Sequence, residues 1–249
     1  MKMIFMGRKE YSADMIEWCL EKGIDIIAVC TEPDTSDNPV VISAHKHNIP
    51  VVSLEEAEKL DCDLAVSYLY SRKIRKPLIE KPTFGCINFH PAILPDWRGT
   101  AGYNIAILKK LPQWGATAHY VDESIDTGAI IKVSKFDFDY KRETALTLER
   151  KTQKVQMELF KSVVSDVLKN GRPEATKQLP EQGIYISRDE MNRLKRIDLD
   201  KDDLDLKIRA FWFPPYDGAF IEVNGKKYTL VNEEILKSLT AGDNNNGAI

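Results

Sequence analysis

Phe84-Gly85-Cys86-Ile87-Asn88-Phe89-His90 is an apolar run that ends in polar residues, and it leads into the loop Pro91-Ala92-Ile93-Leu94-Pro95-Asp96-Trp97-Arg98-Gly99. Such a run reads as a strand over Gly85 to Phe89, central to a sheet. Residues two apart on a strand point to one face, so Asn88 and His90 set an amide beside an imidazole at the strand's carboxyl end. Working outward, Met3 to Gly7, Ile24 to Cys30, Val51-Val52 and Leu64 to Tyr68 read as strands. Ser12 to Lys22 (with Ser12 as N-cap), Val41 to His47, Leu54 to Leu60 and Arg75 to Glu80 read as the helices or helical turns between them. This alternation predicts an α/β fold: a doubly wound, mostly parallel, Rossmann-like sheet that binds ligands beyond its strands' carboxyl ends.

Past the loop, Gly102 to Lys110 reads as a helix, Ala116 to Val121 and Ile130 to Phe138 as strands, and Thr144 to Asn170 as a long helix closed by Gly171. Gly171-Arg172-Pro173 is a natural boundary, which divides the chain into a catalytic domain over 1–171 and a small C-terminal region over 172–240. That appendage holds an extended Ile184 to Arg188, a charged helical turn over Asp189 to Lys195, and a helix over Lys201 to Phe211. Its clearest feature is a β-hairpin, Ala219 to Val223 and Lys226 to Val231, because Asn224-Gly225 favours a type I′ turn. The residues 241–249, Asn-rich and polar, are expected to be a disordered tail.

The composition, 249 residues with 43% hydrophobic and 29% charged, is that of a globular protein able to bury a sizeable core. A net charge of −3 gives no global attraction to nucleic acid or to an anionic membrane. No apolar stretch approaches a membrane span, and Met1-Lys-Met-Ile-Phe-Met-Gly7 is too short to be a signal peptide and reads better as a first buried strand, so a cytoplasmic protein is expected. Cys19, Cys30, Cys62 and Cys86 lack ligand spacing and read as buried free thiols; His45 and His47 read as surface and His119 as structural, so no metal is expected.

Asp126 follows the strand-like Gly115 to Val121 in a turn-like segment. It can join Asn88 and His90 if the two strands are neighbours in a parallel sheet. An amide, an imidazole and a carboxylate in one place can stabilise an oxyanion and move a proton. The same residues carry a resemblance. Asn-x-His, Leu-Pro-x-x-Arg-Gly, a Gly-Ala-Thr strand and Asp126-Thr-Gly128-Ala-Ile-Ile131 together resemble the 10-formyltetrahydrofolate-dependent formyltransferases, strongly from Phe84 to Val133 and in element order over Met1 to Gly171. Members of that family formylate initiator methionyl-tRNA, glycinamide ribonucleotide, or amino sugars carried on nucleotides.

The resemblance implies a catalytic trio of Asn88, His90 and Asp126, with either His90 or Asp126 as the formal base. It implies 10-formyltetrahydrofolate as cosubstrate, held by Tyr68, Leu69, Tyr70, Ile93, Leu94 and Asp122. The single glycine in Met6-Gly7-Arg8-Lys9-Glu10 disfavours a dinucleotide and the glycinamide ribonucleotide enzymes. An acidic Thr31 to Pro39 segment and a short C-terminal region disfavour tRNA. The chain is most similar to the shorter enzymes that formylate 3- or 4-amino dideoxy sugars linked to deoxythymidine diphosphate for surface polysaccharide. Arg98, Tyr185, Arg188, Arg209, Trp212 and Tyr216 are then the expected acceptor contacts, as stacking rings and phosphate cations. A methionyl-tRNA or other amine formyltransferase, and a non-catalytic folate- or nucleotide-binding module, are the alternatives. No nucleic acid or membrane partner is expected, and a homodimer is compatible with the chain.

Overall fold

The computed structural model describes residues 1–100, 102–179 and 181–243. In chain order it contains β1 (Lys2–Gly7), α1 (Lys9–Glu21), β2 (Asp25–Cys30), α2 (Pro39–Lys46), α3 (Leu54–Ala57), β3 (Leu64–Tyr68), α4 (Lys76–Glu80), β4 (Cys86–His90) and β5 (Trp97–Gly99). There follow α5 (Tyr103–Leu108), β6 (Gln113–Tyr120), β7 (Ile130–Asp137), α6 (Ala145–Asn170), β8 (Ile184–Ile186), α7 (Arg188–Leu194), α8 (Leu204–Phe211), β9 (Phe220–Val223), β10 (Lys226–Thr229) and α9 (Glu233–Asp243). The residues form two compact units that interleave along the chain. One comprises Met1–Gly99, Gly115–Phe136 and Thr152–Tyr185; the other comprises Thr100–Trp114, Asp137–Lys151 and the chain from Ile186 onward.

The first unit carries the six-stranded sheet, in the order β2-β1-β3-β4-β6-β7. Strands β1 to β4 are parallel, so their carboxyl ends share one edge, as the alternating pattern predicts. Met3, Phe5, Leu64, Val66, Ile87 and Phe89 pack one face against Phe160 and Val163 of α6, while Ile4, Met6, Ala65 and Cys86 pack the other against Leu54 and Leu78. Burial on both faces explains why these strands read as continuous apolar runs.

Sequence and structure differ in direction at β6. It does adjoin β4, but antiparallel, with Asn88 opposite His119 and His90 opposite Thr117. The physical reason lies in the intervening loop, which stays at the carboxyl end of β4. The Thr117 hydroxyl donates to the Ala92 carbonyl at 2.7 Å and accepts from Leu94 N–H at 3.0 Å, so β6 enters where β4 leaves. Ser12 is not an N-cap either. The first helix starts at Lys9, and the buried Ser12 hydroxyl sits inside it, accepting from Arg8 N–H at 3.0 Å.

Of the second unit, β9 and β10 pair antiparallel with Val223 opposite Lys226, and Asn224 and Gly225 have φ of 50° and 72°, the left-handed pair a type I′ turn needs. The expected disordered tail begins within α9, which runs to Asp243; residues 244–249 lie outside those described. All four cysteines are free and buried. No helix among the described residues is long and apolar enough to cross a membrane.

Candidate active site

Three elements of the first unit deliver the polar groups. Strand β4 supplies Asn88 and His90, β6 supplies His119, and the turn after β6 supplies Asp126, whose φ of 57° is a left-handed conformation that aspartate tolerates. The Asp126 Oδ2 atom lies 3.6 Å from His90 Nδ1, and Oδ1 lies 3.6 Å from His119 Nε2. Asn88, His90 and Asp126 therefore gather where the sequence suggested, although the strands that bring them run in opposite directions. Gly128 makes the turn possible: a Cβ there would lie 1.8 Å from the Tyr120 carbonyl oxygen.

Backbone carbonyls fix the hydrogens on both imidazoles. His90 Nε2–H donates to the Trp97 carbonyl at 3.0 Å, which leaves the Nδ1 lone pair on the side of Asp126. His119 Nδ1–H donates to the Tyr120 carbonyl at 2.7 Å, so its Nε2 accepts from the Asn88 amide at 3.1 Å. A carboxamide has two N–H groups. One is spent on His119, which orients Asn88, and the other is left for an oxyanion.

Electrostatics separate the two titrating partners. Burial pushes the His90 imidazole below its ordinary value, against the opposing pull of Asp126, so the ring is neutral near pH 7. Burial would raise the Asp126 carboxyl, but His90, His119 and the Gly99 N–H, which donates to Oδ2 at 2.9 Å, together hold it well below the usual carboxylate range. A neutral base beside a fixed anion can take a proton, and the anion stabilises the cation that forms.

His119, expected from the sequence to be structural, is hydrogen-bonded to Asn88 and lies 3.6 Å from Asp126. Its role follows from the β4–β6 register, which brings it opposite Asn88, and register is not written in either strand alone. Gln178 was likewise not singled out; its side chain is buried and donates to the Asp126 and Gly128 carbonyls. Among the described residues, no group of three or more His, Cys, Asp or Glu has a metal-binding arrangement.

The Tyr68 ring lies in the core against Phe89 and Phe160, so only its backbone can face a ligand. Leu69 is left-handed at φ 58°, and its carbonyl accepts from Arg8 Nε at 2.7 Å. Tyr70 is half-buried, which raises its hydroxyl to about 12. Ile93 and Leu94 are buried in the loop that Thr117 pins. Asp122 staples its own turn, accepting from Thr127 at 2.6 Å and from Ser124 N–H at 3.1 Å.

Arg98 is buried and donates to Gln178 at 2.9 Å. Tyr185 and Arg188 are exposed, with Arg188 opening a helix that Ser187 and Glu190 cap. Arg209 needs correction as a phosphate contact. It is buried with Nε on Asp205 at 2.7 Å and Nη1 on the Tyr140 and Glu143 carbonyls, so its donors tie α8 to the turn before α6. Tyr216 is 57% exposed and stacks on Phe213 at 5.4 Å, and Phe213 stacks on Tyr103 at 6.3 Å. Phe213, rather than the half-buried Trp212, supports the exposed ring.

Comparison with known proteins supplies the chemical class. The formyl transferase family matches residues 1–164. Methionyl-tRNA formyltransferases of Novosphingobium aromaticivorans and Parvibaculum lavamentivorans are 28% and 31% identical, over 95% and 90% of this chain and 82% and 76% of their own. Among solved structures, an N-formyltransferase from Helicobacter canadensis in complex with folinic acid and dTDP-3-aminofucose superposes with a TM-score of 0.74 at 26% identity, over 94% of this chain and 89% of that one. A 4-N formyltransferase from Francisella tularensis shares the fold, with a TM-score of 0.77 at 24% identity over 93% of this chain and 97% of its own.

Proposed function

The chain belongs to the formyl transferase family and is a formyltransferase, and from that premise we propose that it moves the formyl group of 10-formyltetrahydrofolate to the amine of a dTDP-linked 3- or 4-amino dideoxy sugar. The observation that carries the reading is the pairing of a neutral, buried His90 with an ionised Asp126 beside an Asn88 amide that has one donor to spare. The donor supplies a formyl carbon, to which the acceptor nitrogen bonds as the folate nitrogen departs.

Each residue then has one task. Asn88 Nδ2–H donates to the formyl oxygen as it gains negative charge, a contribution of about 3 kcal/mol for one such donor in other enzymes. His90 Nδ1 takes the proton the amine loses and returns it to the departing nitrogen. Asp126 stabilises the imidazolium between those steps, which assigns the base to His90. The donor fits the chain's own features: apolar Ile93 and Leu94 on a pinned loop, and the left-handed backbone of Leu69 just past the carboxyl end of β3.

A nucleotide-linked acceptor is supported by the dTDP-3-aminofucose bound to the Helicobacter canadensis relative, by the exposed Tyr216 ring with its stacked support, and by the acidic Thr31 to Pro39 segment where a tRNA would need cations. The second reading, formylation of methionyl-tRNA, is favoured by the sequence relatives. Turnover of 10-formyltetrahydrofolate against dTDP-amino sugars and, separately, methionyl-tRNA tests the choice. Formylated sugar is expected; formylated tRNA with no sugar product would replace this reading with the second.

A further inference from the structure

We propose that Gln178 is a positioning residue for the formyl transfer, locking the Asp126 turn onto the segment that orients His90; the proposal rests on the reading of Asp126 as catalytic. Its location follows from a short ladder. Thr176 and Ile130 form an antiparallel bridge with both N–H groups bonded at 2.8 Å, and stepping two residues along each side sets Gln178 opposite Gly128. There the buried carboxamide uses both ends. Nε2 donates to the Gly128 carbonyl at 2.7 Å and the Asp126 carbonyl at 3.1 Å, while Oε1 accepts from Arg98 Nη2 at 2.9 Å.

Those partners flank the reacting groups. Arg98 lies between Trp97, whose carbonyl fixes the His90 ring, and Gly99, whose N–H holds Asp126 Oδ2. One amide thus ties the backbone under the carboxylate to the strand that orients the base. The turn has no slack of its own: Asp126 is left-handed, and Gly128 passes so close to Tyr120 that no side chain fits. Two carbonyls that share one donor pair are held in register, and freeing them lets the carboxylate swing from Nδ1. A displacement of about 1 Å at a reacting group can cost up to about a hundredfold in rate.

A double-mutant cycle of Gln178→Ala and Asp126→Asn on the full chain tests this, with Gln178→Glu alongside. Gln178→Glu keeps the acceptor for Arg98 and removes the donors to the turn. The first readout is the NMR titration midpoint of the His90 ring, which needs no acceptor; Asp126, His119 and the Trp97 carbonyl face that ring, and of the charged groups Asp126 raises its midpoint. The second is kcat and KM with 10-formyltetrahydrofolate and dTDP-3-aminofucose. Gln178→Ala is expected to lower the His90 midpoint, and both variants are expected to cut kcat about tenfold with KM little changed; the new carboxylate of Gln178→Glu itself favours the imidazolium, so that variant is read by kcat. Neither should add to Asp126→Asn.

Losses that multiply in the double variant, or a Gln178→Glu enzyme with full kcat, would reduce Gln178 to packing and overturn the proposal. Asp126→Asn with wild-type turnover and an unmoved midpoint would instead sink the catalytic reading beneath it. Should Gln178→Ala fail to fold, Gln178→Glu completes the same cycle.

Discussion

Burial keeps the His90 imidazole unprotonated near pH 7, and His90, His119 and the Gly99 N–H hold Asp126 as the anion, so in the proposed mechanism the pair sets the pH dependence of the reaction. Below its midpoint His90 already holds a proton and cannot take the amine's, so kcat/KM falls on the acid side. Burial sets that midpoint below the usual ~6.5. Asp126→Asn removes the anion that raises it, and the acid limb of the pH–rate profile should move to lower pH; an acid limb that stays in place would contradict the coupling. His119→Ala strips the acceptor that orients Asn88, with an expected loss of about 10- to 100-fold in kcat at little cost in KM, read by steady-state kinetics. His119→Gln, which can still accept from Asn88, should recover part of it. At this scale Asn88, His90 and Asp126 were legible because their spacing is local or marked by a motif. His119 was not, because its neighbour across the ladder is assigned only when the strands pair. Arg209 misled for a related reason: a cation in a Trp- and Pro-rich segment reads alike whether it faces solvent or two backbone carbonyls.

Elements that announce themselves by one strong local signal were read almost to the residue. Leu64–Tyr68 is a fully buried strand, and Asn224-Gly225 is a turn whose backbone angles few other pairs adopt without strain. The direction of β6 was beyond reach. It depends on where the loop after β4 comes to rest, and the Thr117 bonds that hold that loop join residues far apart in sequence. Two element-scale predictions follow from buried contacts. Gly128→Ala forces a methyl into the Tyr120 carbonyl and should cost about 1–3 kcal/mol of stability together with most of the turnover, measured by denaturant unfolding and by assay. Arg209→Met leaves the Tyr140 and Glu143 carbonyls without their donor. It should cost about 2–3 kcal/mol of stability while the folded fraction keeps its KM for the sugar nucleotide. A raised KM at unchanged stability would return Arg209 to the phosphate.

For the whole molecule, alternation of strand and helix was enough to give the doubly wound sheet, because both faces of its parallel strands had to be apolar. The proposed choice of acceptor rests on charge and on exposed rings rather than on Asn88, His90 and Asp126. A chain of net charge −3 whose Glu32 already pairs with Arg72 at 3.0 Å offers little to a phosphate backbone, and binding to tRNA should fall steeply with salt if it occurs at all. Discrimination between acceptors is a ratio of kcat/KM values, so it is measured best in one vessel. The decisive measurement offers wild-type protein 10-formyltetrahydrofolate with a dTDP-amino sugar and methionyl-tRNA present together, beside a His90→Asn control, and follows both products by mass spectrometry. N-formylated sugar is expected as the dominant product, with a loss of about 10²–10⁴-fold in the control. Formylated methionyl-tRNA as the dominant product, or a control as fast as the wild type, would contradict the proposed function.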